Sequence, residues 1–484
     1  MNGIRVRLLG VERRERAYRL RMPFRFGVKT ATHGRQAIVR ARIALGDGRE
    51  AEGFSAEALG AKWFDKDLTL SDEQNHHQLR RSLELACDAY LNAPAAAPFE
   101  LFAESYRPHV EACAALGLNP LIASYGQSLI DRAILDGLCR ATGASFYDAM
   151  RHNLVGLRPH PVAPELADVQ VQRLFVDARP AGTIDVRHTV GLVDPVTAAD
   201  LAPEARVNDG LPETLEEVVA TYGNRYFKLK VSGDEGADLD RLERIASVLD
   251  RREEPYLASL DGNEQFADAD SIAAFYARLG ERPRLARLAA SILYVEQPIA
   301  RKLALARPVS ELARRVPVII DESDSALSAF AEARALGYSG VSSKACKGIY
   351  KSVVNHARCR LWNAGGRDRF FMSAEDLTCE PGIAIQQDLA LVNLLGLTHV
   401  ERNAHHFIDG FGGRPETEAR AFLAAHPDLY HEQGGRVRLR LADGRFAIGS
   451  LDCGGFGSAA LPDFAAAVPM PQADWPTEPE RQGA

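Results

Sequence analysis

Asp261, Glu296 and Asp321 each close a short apolar run, in Ser259-Leu-Asp261, Tyr294-Val-Glu296 and Val318-Ile-Ile-Asp321. They are spaced by roughly 25–35 residues, the length of one strand–helix unit. On consecutive parallel strands they would stand side by side at one height. Carboxylates gathered there without a cation would repel and raise one another's pKa. Three hard oxygen ligands suit Mg2+, with Mn2+ as the alternative, and leave coordination positions for substrate oxygens. Aspartate after a strand also caps the next helix, but three carboxylates in succession favour the metal. The cationic counterpart is Lys228-Leu-Lys230, whose lysines, two apart, share one face of a strand. Lys344 closes Val341-Ser-Ser-Lys344 further along. A partly desolvated lysine beside another cation loses basicity and can take a proton near neutral pH. Lys347 and Lys351 follow on a loop and helix and read as ordinary surface charges.

The elements that must position these residues begin near residue 185. Short β-rich runs cover 185–191, 225–230, 256–261, 291–296, 316–321, 340–344, 369–373 and 398–401, with helical patterns such as 239–251, 268–279 and 326–336 between them. Repeated strand–helix units make a parallel sheet. Eight strands in one run predict closure into a barrel, whose chemistry sits at the C-terminal strand ends. The charged residues fall at those ends, and two inward lysines in an apolar interior need a functional reason. No GxGxxG or Walker A sequence follows the first strand, which argues against dinucleotide and P-loop folds.

Ahead of the barrel, residues 38–52 alternate in polarity around Gly46-Asp-Gly48 and predict a hairpin. Ser71-Asp-Glu-Gln74 opens the first of several helices over 70–155 with a capping signal. Leu129, Ala133, Leu135, Leu138 and Cys139 give another an apolar stripe, and a short helical run follows from Ser145 to Met150. Residues 436–446 read as a late hairpin, and the final ~20 residues as a disordered tail. The expected fold class is α/β, a modified TIM barrel, (β/α)7β. An α+β capping domain spans 1–155 and the barrel 156–420; 421–484 form a hairpin returning to the cap plus a flexible tail.

The chain has 484 residues, 46% of them hydrophobic, and a net charge of −7. That balance argues against a general nucleic-acid binder, which needs a basic footprint. The N-terminus is charged and lacks an apolar core, and no apolar run reaches ~18 residues, so neither a secretory signal nor a membrane span is expected. The seven cysteines are scattered without a CxxC pair. They read as reduced thiols of a cytoplasmic protein. A small carboxylic acid is the expected partner, and assembly as a homo-oligomer is left open.

The ordered set Lys228-x-Lys230, Asp261-x-Asn263, Glu296-Gln-Pro298, Asp321-Glu-Ser323 and a lone Lys344 resembles the enolase superfamily, within it the mandelate racemase/muconate lactonizing enzyme family. The nearest subgroup is that of muconate-lactonizing enzymes and dipeptide epimerases. The resemblance runs over about 20–60 and 120–420. It implies Asp261, Glu296 and Asp321 as Mg2+ ligands, and Lys230 and Lys344 as bases on opposite faces of the substrate. It implies that Lys228 lowers the pKa of Lys230 and helps stabilise an enolate, with Asn263 and Glu322 as supports behind the ligands. Two N-terminal loops would cover the barrel mouth, bringing Phe26 and Trp63 to the substrate. Glu375, after the seventh strand, and Glu401, ending the eighth, are the other expected substrate contacts. No histidine stands at the end of the seventh strand to pair with an aspartate on the sixth, which disfavours the mandelate-racemase and sugar-acid-dehydratase pattern. His33, His405 and His406 read as structural or loop residues.

These readings predict Mg2+-dependent removal of the proton α to a carboxylate, through an enediolate. The outcome would be racemisation, epimerisation or cycloisomerisation of a small organic or amino acid. The alternatives are β-elimination, as in a dehydratase or o-succinylbenzoate synthase-like lyase, a hydrolase using the same carboxylates, and a non-catalytic barrel.

Overall fold

The computed structural model describes residues 3–366 and 369–478, Gln172 by its backbone alone. The chain opens with a three-stranded antiparallel meander, β1 (Val6–Phe26), β2 (Lys29–Leu45) and β3 (Glu50–Ala58). The 38–52 hairpin is the β2–β3 part of it, turning at Gly46–Gly48 as expected. Three helices pack on it: α1 (Asp72–Asn92), α2 (Pro98–Ala115) and α3 (Pro120–Thr142). Ser71 and Gln74 form a reciprocal capping box at the start of α1. Asn119 caps α3, Pro120 pre-sets its first turn, and Gly143 ends it in the left-handed region. α1 and α2 account for the extra helical stretch near 65–120. They flank α3, whose buried face meets β3.

The barrel follows: β4 (Thr183–Val190), β5 (Tyr226–Lys230), β6 (Leu257–Asp261), β7 (Ile292–Glu296), β8 (Val318–Ile320), β9 (Gly340–Ser343), β10 (Phe371–Ala374) and β11 (His399–Glu401). Each pairs in parallel with the next, and β11 pairs with β4, so the sheet is closed. The strands are short and buried on both faces, which is why they read as apolar runs rather than alternating ones. The helices expected over 239–251, 268–279 and 326–336 appear as Glu235–Leu249, Ala269–Glu281 and Ala329–Ala335. The stretch before β4 is a series of turns packed on the helix Ile349–Asn363, with Arg358 paired to Glu165.

Two expectations for the C-terminal part are corrected. The hairpin read over 436–446 is divided between two hairpins. Arg436–Leu439 pairs back onto Tyr430–Gln433, and Arg445–Ala447 pairs with Leu441–Ala442 and also runs antiparallel to β4. This late strand therefore joins the barrel sheet, not the cap. The last stretch is also not a free tail as far as residue 478. Val468–Pro469 pairs with β1, Arg81 donates to the carbonyls of Ala473 and Trp475, and Trp475 Nε1 donates to Leu116 O at 3.0 Å. Apolar docking residues such as Phe464 and Ala467 are few and dispersed among polar ones, so composition reads as disorder. Residues 479–484 lie outside the described part. No described helix is long and apolar enough to cross a membrane.

Candidate active site

The barrel register gathers the charged strand ends. Lys230 is the Cα partner of Asp261, and Asp261 that of Glu296, so three expected site residues share one row across β5, β6 and β7. Asp321 follows β8 directly. Gly262 sits between Asp261 and Asn263 because a Cβ there would lie 2.6 Å from Pro298 Cα. Just past the strand ends, Asn263, Glu264 and Gln297 take positive φ of 45°, 69° and 34°. Such backbone costs energy for non-glycine residues and collects at functional sites.

Lys228 Nζ occupies the middle of the strand-end bowl. It lies 3.0 Å from Asp261 Oδ2, 2.9 Å from Glu296 Oε1, 2.8 Å from Glu375 Oε2 and 3.0 Å from Glu401 Oε2. Burial works against this ammonium, but the four carboxylates outweigh it and hold its pKa well above the ordinary lysine value. Glu296 moves the other way for an acid: burial, then the charges of Asp261 and Glu375, push its pKa well up. Asp321 resists burial because Lys344 and Lys347 hold its pKa down.

Among the described residues no three acidic, histidine or cysteine side chains close into a metal cage. The expected convergence of Asp261, Glu296 and Asp321 is interleaved with lysines: Lys228 bridges the first two and Lys344 Nζ holds Asp321 Oδ2 at 2.6 Å. The donor chemistry still fits a hard divalent cation. The ligands would be carboxylates on successive strands, and Glu296 keeps Oε2 buried with no hydrogen-bond partner.

Lys230 and Lys344 lie on opposite sides of the barrel, ending β5 and following β9, and both line the same cavity. Lys230 Nζ lies 2.5 Å from Asp261 Oδ2 and donates to Asn263 Oδ1 at 3.1 Å. Asn263 Nδ2 in turn donates to Glu322 Oε1 at 3.2 Å, placing both expected supports behind Lys230 and the carboxylates. The expectation that the lysines lose basicity fails for Lys344. Burial lowers its pKa, but Asp321 outweighs burial and the net shift is upward.

The cavity is lined by Lys228, Lys230, Asp321 and Lys344 on its floor, with Glu401 and Asn403 at one side. Tyr18, Leu20, Phe24, Phe26 and Trp63 of the cap close it above. Phe26 is half-buried there, as expected of a lid aromatic. Trp63 is buried rather than exposed, and Lys344 Nζ sits 4.1 Å from its ring centroid, a cation–π contact. Glu401 meets the expectation of facing the cavity. Its Oε1 accepts from Thr189 Oγ1 at 2.5 Å and Asn403 Nδ2 at 3.0 Å. Glu375 does not line the cavity. It lies beneath the floor, held by Arg187, Ser373 and Lys228, and the next residue, Asp376, takes the lining position. The strand runs to Ala374, one residue beyond the 369–373 run read from the sequence, and the two side chains exchange places.

Several residues escape the sequence reading. Arg187 on β4 points into the barrel and is fully buried, donating to Ser373 Oγ, Ala374 O and Glu375. Lys347 and Lys351, read as surface charges, are buried. Lys347 Nζ lies 2.9 Å from Asp324 Oδ2 and Lys351 Nζ donates to Asp324 O. The partner Asp324 in the segment Asp321-Glu-Ser-Asp324 was the available signal. His405 and His406 are structural, packed with His188 at ring distances of 5.8 and 4.9 Å, while His33 is exposed at the rim of the cavity. All seven cysteines are free.

Neither a family model nor a curated protein matches the sequence. Solved structures match its fold over nearly the whole length. An enolase from Bradyrhizobium complexed with magnesium and mandelic acid covers 96% of this chain and 97% of its own, with a TM-score of 0.59 and 15% identity. A dipeptide epimerase from Enterococcus faecalis complexed with Mg and the dipeptide L-Leu-L-Tyr covers 93% and 99%, with 0.59 and 14%. A muconate lactonizing enzyme from Mycobacterium smegmatis complexed with muconolactone covers 95% and 98%, with 0.60 and 15%. The fold is that of these solved structures. The cap lies over the C-terminal mouth of the barrel, where Tyr18, Phe26 and Trp63 line the cavity. At these identities the likeness speaks for the fold, and the chemistry has to be argued from the side chains.

Proposed function

We propose that this protein is an isomerase that removes the proton α to the carboxylate of a small organic or amino acid and returns a proton to the resulting carbanion. Racemisation or epimerisation are the outcomes that fit two bases, and cycloisomerisation the one that fits a single base with the other lysine as a cation. The reading is carried by one observation: Lys230 and Lys344 reach a single cavity from opposite walls of the barrel. A planar carbanion held between them is within reach of a proton donor on each face. Mg2+ held by Asp261, Glu296 and Asp321 would supply positive charge against the substrate carboxylate as negative charge develops. Asp261 and Asp321, the two carboxylates that pair with the bases here, would turn part of their charge toward that ion. Lys228, clamped by Glu375 and Glu401 from the far side, remains a fixed cation beside the reacting carbon. Asn263 and Glu322 orient Lys230 and its neighbours, and the aromatic roof keeps water from the carbanion. The molecules bound in two of the similar solved structures, mandelic acid and the dipeptide L-Leu-L-Tyr, are small carboxylic acids of the same class.

Glu296→Gln tests the metal assignment. It removes one charged ligand and keeps the shape. Titration calorimetry should show Mg2+ affinity falling by at least about 100-fold. Affinity equal to the wild type would exclude Glu296 as a ligand. Glu401→Gln tests the cavity wall. With a screened substrate it should raise KM several-fold and lower kcat less, the mark of uniform binding. Unchanged kinetics would take Glu401 out of the substrate site.

A further inference from the structure

The cap loop between β3 and α1 touches Lys344 directly and reaches Lys230 through the residues behind it. At one end Trp63 packs its ring 4.1 Å from Lys344 Nζ. Three residues on, Lys66 reaches down into the barrel mouth. Its Nζ lies 2.7 Å from Asn263 O, 2.7 Å from Glu264 Oε2 and 3.3 Å from Glu322 Oε1. Asn263 and Glu322 are the pair that stands behind Lys230. The loop is pinned between these points by Arg301, which donates to Trp63 O and Phe64 O at 2.8 Å and pairs with Glu264.

We propose that Lys66 is the positioning residue through which this cap loop sets Lys230 and Lys344 together. The reasoning is electrostatic and geometric. Glu264 and Glu322 are buried acids at the mouth, and Lys66 and Arg301 are the cations that face them. A buried carboxylate that loses its partner is costly, so the loop is held down by more than side-chain packing. Seating Lys66 fixes Asn263 and Glu322, and with them the hydrogen bond to Lys230. The same seating brings Trp63 over Lys344. The two bases are therefore ready only when the loop is down. This rests on reading Lys230 and Lys344 as the bases, and the test separates the two claims.

Lys66→Met keeps the length of the side chain and removes the charge. The first readout is reductive methylation of the whole protein at limiting reagent, followed by peptide mass spectrometry. Lys230 and Lys344 should label roughly tenfold faster in the variant, with Lys347 and Lys351 unchanged, as local opening of the loop requires. Lys66→Arg, which keeps the charge, should restore slow labelling. The second readout is α-proton exchange of a racemisable carboxylic acid in D₂O. Both enantiomers should lose rate by the same ~10–100-fold factor, with KM changed much less. Wild-type labelling of Lys230 and Lys344 in Lys66→Met would overturn the proposal. So would a rise at all four lysines together, since that marks general loosening. If Lys66→Met fails to fold, Glu264→Gln weakens the same contact in place, and unchanged labelling there overturns the proposal equally. If labelling shifts as expected but the wild type exchanges no α-proton of any acid, the positioning role stands and the base assignment falls.

Discussion

Replacing Lys230 or Lys344 by alanine should divide the reaction by stereochemical face. Each lysine approaches the cavity from one wall, so each reaches one side of the α-carbon. In D₂O, Lys230→Ala is expected to lose about 10²–10⁴-fold in α-exchange for one enantiomer and to keep exchange for the other. Lys344→Ala should show the opposite preference. The measurement is deuterium incorporation by NMR or mass spectrometry for each isomer of a racemisable acid. If one variant loses exchange with every isomer and the other loses none, a single base acts, and cycloisomerisation or β-elimination becomes the better reading. If both bind substrate poorly and exchange the two isomers equally, the lysines are anion clamps and the two-base reading fails.

The second large effect concerns stability in acid. His188, His405 and His406 pack together, buried, and His405 has no partner on either ring nitrogen. Burial lowers the pKa of all three, that of His188 to about 3. The unfolded chain takes up these protons below the ordinary value of about 6.5, while the folded protein does not. Each histidine therefore makes the fold less stable as pH falls through that value, by about 2 kcal/mol between pH 7 and pH 5. Buried acids such as Asp194 and Asp376, each raised to about 6 chiefly by burial, act in the opposite sense over the same interval. The clean quantity is thus a difference between proteins. His405→Phe, set among the rings of His188, Tyr222 and Phe446, should reduce the acid-induced loss of urea stability by about 2 kcal/mol relative to wild type. An identical pH dependence in the two proteins would show that His405 is protonated in the fold.

What the sequence made legible follows from what is local. The barrel strands are short apolar runs ending in a charge, and strand register converts that spacing into proximity. Lys230, Asp261 and Glu296 could be placed in one row for that reason. Asn263 and Glu322, expected behind them from the family resemblance, lie there. Partners from distant segments were not legible. Lys347 and Lys351 look like surface charges until Asp324 is brought beneath them from the preceding strand unit. Arg187 gives no sign in its own strand of the Glu375 it will neutralise. The exchange of Glu375 for Asp376 at the cavity shows how far a one-residue shift at a strand end carries. The sense of the Lys344 pKa shift was missed because a nearby cation was weighed and the closer anion, Asp321, was not.

Val468–Pro469, paired with β1, ties a late segment of the chain to the cap sheet. β1 is made long before residues 468–469, yet it pairs at Arg14 and Glu15 with Pro469 and Val468. Phe464 lies between the guanidinium groups of Arg14 and Arg40. These contacts close loops of several hundred residues, the slow, high-contact-order kind. During synthesis the cap sheet must wait, with one edge unpaired and one face uncovered, until the whole barrel has emerged. An exposed strand edge in a partly made chain invites pairing with other chains. Nascent chains halted before residue 460 should therefore depend on chaperones more than the finished protein does.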